Sequence, residues 1–130
     1  MSWWAKVLEN INQGDVLLTP GRGLHGSIRS TFKIISKDSF AIFIKSGSSK
    51  IPLEKMCFDT LEKAFSNNPH LWLRVAAIKS NFPLENSADK LIRNETGSNL
   101  ARANYICSIL EKCNLVFYAM QGNQKVIKLP

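Results

Sequence analysis

The stretch Thr96-Gly97-Ser98-Asn99-Leu100-Ala101-Arg102-Ala103-Asn104-Tyr105-Ile106-Cys107-Ser108-Ile109-Leu110-Glu111-Lys112-Cys113-Asn114-Leu115-Val116 decides how the C-terminal half is read. Gly97 breaks any helix that reaches it, and Ser98 or Asn99 follows as an N-cap whose side-chain oxygen accepts a first-turn N–H. Leu100, Ala103, Ile106, Cys107, Leu110 and Cys113 then recur on one stripe, which predicts a helix over 99–113. Upstream, Asn86 or Ser87 caps a shorter helix, Ala88 to Glu95, in which Leu91 and Ile92 are apolar. Before it, Asn68-Pro69 is a cap followed by the residue favoured at a first helical position. Leu71, Trp72, Val75 and Ile78 repeat at helical spacing behind it, which predicts a helix over 70–80. Downstream, Leu115 to Met120 and Lys125 to Leu129 are strand-like and flank the tight turn Gln121-Gly122-Asn123-Gln124.

Helix, helix, four-residue glycine-bearing turn, helix and hairpin, over residues 69–130, is an order that resembles a winged helix-turn-helix. The resemblance implies duplex DNA as partner, with the helix 99–113 entering a major groove about 12 Å wide and the hairpin lying against phosphate. With the apolar stripe turned inward, Ala101, Arg102, Tyr105, Ser108 and Lys112 fall on the outer face, with Ser98 and Asn99 at its N-terminal end. Arg102 is then expected on guanine or phosphate, Asn99 or Asn104 on adenine, and Tyr105 or Ser108 on phosphate. Lys125 and Lys128 approach the backbone from the wing. A single such module reads few base pairs, so pairing as a homodimer is expected.

The N-terminal half has a different rhythm. Trp3, Trp4, Val7, Leu8 and Ile11 mark a short amphipathic helix that stops at Asn12-Gln13-Gly14. Asp15 to Thr19, Thr31 to Ser36, Phe40 to Lys45 and Lys50 to Leu53 read as short antiparallel strands separated by Pro20-Gly21-Arg22-Gly23, Lys37-Asp38-Ser39 and Gly47-Ser48-Ser49. From Glu54 the period returns to helical, through Met56 or Cys57, Leu61, Ala64 and Phe65, until Ser66-Asn67-Asn68. The expected class is α+β: an N-terminal helix and a small curled, SH3-like sheet with a connecting helix over 1–66, then a winged-helix domain over 67–130. Trp3 and Trp4 are adjacent in one helix and are not expected to face one core, which leaves one for a partner surface.

Charge agrees with a polyanionic partner. Seventeen Lys and Arg against ten Asp and Glu give +7 and a pI near 9.5 in a chain of 130 residues. The excess is spread along the chain, nine basic and six acidic side chains before residue 67 and eight and four after it. An apolar content of 45% supplies a core and excludes disorder, while no apolar run approaches the ~20 residues that cross a bilayer, so no membrane partner is expected. The start lacks the features of a secretory signal, and Cys57, Cys107 and Cys113 are odd in number with no C-x-x-C. Reduced, buried thiols and a cytoplasmic location follow as expectations.

Enzyme signatures are absent. No lysine has Asp or Glu two positions before it, as in the acidic-x-Lys element of many metal-dependent nucleases, and neither a phosphate-binding P-loop nor H-E-x-x-H occurs. His25 and His70 lie far from one another and from any cysteine pair, which argues against a metal site. Gly21-Arg22-Gly23-Leu24-His25-Gly26 fits G-x-G-x-x-G after a strand, but a hairpin follows it instead of a helix and Asp38 comes too early for the ribose, so no dinucleotide or other cofactor is expected. What remains is a flexible glycine loop between strands or, as the alternative, a backbone phosphate nest aided by Arg22, Gly23, Arg29 and Lys33. The expected function is a non-enzymatic DNA-binding protein, regulatory or accessory to DNA processing. The competing readings are a protein-docking module on a winged-helix scaffold, and an RNA or single-strand binder that stacks bases on Phe32, Phe40 or Phe43.

Overall fold

The computed structural model describes residues 1–21, 30–75 and 85–130. Ser2 caps helix α1 (Trp3–Asn10), its hydroxyl accepting the Ala5 N–H at 3.1 Å, and Gly14 at φ +93° turns the chain into β1 (Val16–Leu18). Strands β2 (Thr31–Lys37), β3 (Ala41–Ser46) and β4 (Ser49–Glu54) complete an antiparallel meander in the order β1-β2-β3-β4. Among the described residues β1 and β4 are its edge strands. The Asp38 carboxylate accepts the N–H groups of Phe40 and Ala41 and shapes the first hairpin turn. Gly47 at φ +60° does so for the second.

Helix α2 (Lys55–Asn67) leaves β4 directly and buries Cys57, Phe58, Leu61 and Phe65. That face receives α1 in a way the tryptophan pair did not foretell. Trp4 packs on Phe58 with centroids 5.2 Å apart and Trp3 on Phe65 at 5.9 Å, so both indoles lie against one helix, Trp4 buried and Trp3 half-buried. Phe58 and Phe65 are two turns apart on α2, and adjacent side chains of α1 diverge enough to straddle that distance. The Trp4 indole N–H also donates to the Ser39 carbonyl.

The segment expected as a helix over 70–80 contains a strand, β5 (Trp72–Arg74), and its remainder from 76 lies outside the described residues. Leu71 to Val75 satisfies a period of two as well as one of 3.6, with Leu73 and Val75 buried and Trp72 and Arg74 half-buried. The partner β7 decides between them, since Trp72, Leu73 and Arg74 pair with Lys128, Ile127 and Val126. Helix α3 (Ala88–Thr96) runs as expected, from the Ser87 hydroxyl that accepts the Lys90 N–H to Gly97 in the left-handed region. Helix α4 (Ala103–Lys112) begins four residues later than the sequence predicts. Thr96 accepts the Ser98 N–H and Ser98 accepts the Leu100 N–H, so residues 98–102 are held as a loop. The hairpin β6 (Phe117–Gln121) and β7 (Gln124–Lys128) completes a second antiparallel sheet in the order β5-β7-β6.

The fold is therefore α+β, with α2 shared by both halves. Its neighbours are α1 on one side and α3 on the other, and buried residues from before and after position 66 form one hydrophobic cluster. Among the described residues no helix is long and apolar enough to cross a membrane.

Candidate nucleic-acid interface

Helix α4 is largely buried. Its apolar stripe (Ala103, Ile106, Cys107, Leu110) is buried as expected, but Tyr105 and Ser108 on another side meet the first sheet, while Glu111 and Lys112 at its end are exposed. Tyr105 packs edge-on to Phe32 at 5.1 Å and donates to the Ser46 hydroxyl. Ser108, 5% exposed, donates to the Leu18 carbonyl at 2.7 Å and lies 3.4 Å from the Tyr118 hydroxyl.

Arg102 departs furthest from expectation. It is 1% exposed, and its Nη1 donates to the Pro52 carbonyl at 3.0 Å and to the Glu54 carboxylate. A guanidinium so enclosed reaches neither guanine nor phosphate. Lys125 of the wing is likewise internal, its ammonium donating to the Pro20 carbonyl at 2.5 Å and lying 4.9 Å from the centre of the Tyr118 ring. The physical reason is shared by all four. A polar side chain's donors are satisfied as well by a carbonyl of the same chain as by DNA, and the helical wheel reports the angle of a residue without reporting what covers that angle.

Of the other sequence-predicted contacts, Asn99 and Lys112 are exposed, while Ser98, Asn104 and Lys128 are half-buried; Ala101 is half-buried too. Arg22, Gly23 and Arg29, with the rest of the glycine loop through 29, lie outside the described residues. Lys33 is exposed on β2. Of the three phenylalanines considered for stacking, Phe32 is buried in the core, Phe40 is exposed in the β2–β3 turn, and Phe43 is half-buried on the outer face of the first sheet.

That outer face carries the feature sequence reasoning missed. Lys33 of β2 is the cross-strand partner of Lys45 of β3, and Lys45 is the partner of Lys50 of β4. Directly paired residues share a face, and strands lie about 4.8 Å apart, so three ammonium groups stand on one rung about 10 Å wide. All three lysines are exposed, and among the described residues no carboxylate lies within 4.0 Å of any of them. On the same face Lys50 places its ammonium 5.2 Å from the centre of the Phe43 ring, and Val16, paired with Lys33, is exposed on β1. Like charges directly opposite one another weaken a sheet. A single strand signals only that each lysine is followed or preceded by an inward isoleucine, Ile34, Ile44 or Ile51; the alignment of the three depends on register.

The three cysteines are free and buried. Burial pushes the thiols of Cys57 and Cys107 up to about 12 and that of Cys113 to about 11, so all three are neutral and poorly nucleophilic near pH 7. Among the described residues no three His, Cys, Asp or Glu side chains are grouped to hold a metal ion. A cleft of about 440 Å³ between β1, the end of α4 and Tyr118 has Ser108, Glu111 and Lys112 among its lining, with the serine hydroxyl already engaged by Leu18. No family model, no curated protein and no solved structure matches this chain.

Proposed function

We propose that this chain is a non-enzymatic nucleic-acid-binding protein that holds the phosphate backbone on the outer face of its first sheet. The observation that carries the reading is the rung Lys33–Lys45–Lys50, three exposed like charges aligned on adjacent strands with no carboxylate within 4.0 Å among the described residues. Such an arrangement costs the free protein stability and is offset by a polyanion, whose condensed counterions are released on contact. The net charge of +7 favours the same class of partner.

The C-terminal half enters this reading as a scaffold. The order α2-β5-α3-α4-β6-β7 with a sheet β5-β7-β6 supports a winged-helix arrangement whose first helix is α2, in place of the 70–80 segment. Its α4 is joined to the first sheet by Arg102, Tyr105 and Ser108, so the contact with nucleic acid moves from that helix to the sheet. The protein-docking reading rests on an apolar patch such as Trp3 or Trp4, and both of these rings pack on α2.

Fluorescence anisotropy with labelled single-stranded and duplex DNA, at roughly 50 and 200 mM salt, tests the proposal. Three phosphate contacts lower the affinity about 20-fold over that interval for a single strand and about 40-fold for a duplex. The triple variant Lys33→Ala, Lys45→Ala, Lys50→Ala is expected to lose that salt dependence along with most of the binding. Binding and salt slope equal to the parent's in the triple variant would sink the assignment to this face.

A further inference from the structure

Resting on that reading and extending it, we infer that the ligand is a single-stranded nucleic acid whose bases stack on Trp72 and Phe117 at either side of Lys128, on the outer face of the second sheet. The register places these three on one rung, Trp72 of β5 opposite Lys128 of β7 and Lys128 opposite Phe117 of β6. The neighbouring rung, Leu73–Ile127–Tyr118, faces inward, where Leu73 and Ile127 are core residues and Tyr118 meets Ser108 of α4. Trp72, Lys128 and Phe117 therefore lie on the opposite side, where the rung is at least partly exposed while Val126, two residues along β7 on that side, is fully buried.

Their chemistry selects the ligand. Phe117 is 42% exposed, a large ring on a sheet surface, and Trp72 is half-buried. Arg74, on the same face two residues along β5 and opposite Val126, donates to the Glu85 carbonyl, which leaves its charge without a carboxylate among the described residues. Two rings flanking an ammonium, with a guanidinium beside them, match alternating bases and phosphates. Apolar docking partners do not call for the cations, and a bare anionic surface does not call for the rings. A duplex keeps its base faces stacked internally, whereas a single strand offers them to aromatic side chains.

The experiment uses the full chain and three labelled probes of about 20 nucleotides: a thymidine oligomer, an abasic sugar-phosphate oligomer that keeps the charges and lacks the bases, and a duplex. The expected result is that the parent prefers the thymidine oligomer to the abasic one. Phe117→Ala should weaken thymidine binding about 5- to 100-fold and leave abasic and duplex binding unchanged. Phe117→Tyr keeps a stacking ring and should retain the affinity, which separates stacking from a packing defect. A uridine oligomer bound as the thymidine one is expected, since a π-face is common to RNA and DNA. Equal binding of thymidine and abasic oligomers by the parent, or a Phe117→Ala variant with undiminished thymidine binding, overturns the stacking site alone. Failure of the parent to bind any of the probes, with binding instead to vesicles rich in phosphatidylserine, overturns the nucleic-acid reading itself.

Discussion

Arg102, immediately before α4, donates through Nη1 to the carboxylate of Glu54, the last residue of β4 and 48 positions earlier in the chain. The guanidinium is almost wholly enclosed while the Glu54 side chain keeps 40% of its exposure, so the pair reaches from the interior to the surface. The same arginine satisfies the Pro52 carbonyl, and Glu54 accepts from the Cys57 thiol at 3.6 Å. The contact that sequence patterning assigns to DNA is thus spent in joining the two halves of the molecule.

Arg102→Met should accordingly reduce stability and leave nucleic-acid affinity unchanged. Loss of the hydrogen bonds to Pro52 and Glu54, moderated by the solvent that screens Glu54, is expected to cost about 1–3 kcal/mol. A lower urea midpoint with an unaltered Kd in the folded range is the expected outcome. A large fall in affinity without loss of stability would restore α4 as the contact.

The lysine rung makes the opposite prediction, in which stability and binding move apart. Lys45→Glu replaces two like-charge neighbours with two attractive ones, Lys33 and Lys50, and should stabilise the free protein by about 0.2–1 kcal/mol. The same change places a negative charge at the centre of the phosphate site, and binding to either strand form should fall at least tenfold. Urea unfolding and anisotropy on one preparation check both halves of the expectation.

Cys107 gives a pH dependence with a defined sign. Its thiol titrates near 12 in the folded protein, because burial penalises the thiolate, against an ordinary value of 9.0. The folded pKa is the higher one, so the stabilisation is complete below pH 9 and declines as pH rises toward 12, where the unfolded chain ionises first. Urea midpoints of the parent should therefore fall more steeply between pH 9 and 11 than those of Cys107→Ala. Parallel curves would show that the thiol does not contribute. At pH 8 the native protein should react with a thiol reagent only as fast as it unfolds.

Gly97 ends α3 at φ +68°, and a Cβ built there meets nothing within 4 Å. The cost of Gly97→Ala is then one of backbone conformation without steric collision, about 1 kcal/mol, and Gly97→Asn should cost less because asparagine tolerates the left-handed region. Thermal melts of the two variants check the order.

Much of this molecule is determined within a few residues of chain. The Asp38 turn, the Gly47 and Gly122 hairpins, the Ser2 and Ser87 caps and the Gly97 stop are local events, because each bond or dihedral involves residues no more than four apart. The amphipathic stripes of α1, α2 and α4 are legible for the same reason, as is the positive charge of the whole. What only the tertiary structure decided depends on partners far along the chain. Leu71 to Val75 suits a helix or a strand, and pairing of Trp72 with Lys128 makes it a strand. Arg102, Ser108 and Lys125 carry the side chains of a nucleic-acid contact, and Glu54, Leu18 and Pro20, 48 to 105 residues distant, take them inside. Lys33, Lys45 and Lys50 are ordinary exposed strand residues until register sets them side by side. Spacing along a chain fixes the direction of a side chain, and packing alone fixes what it meets.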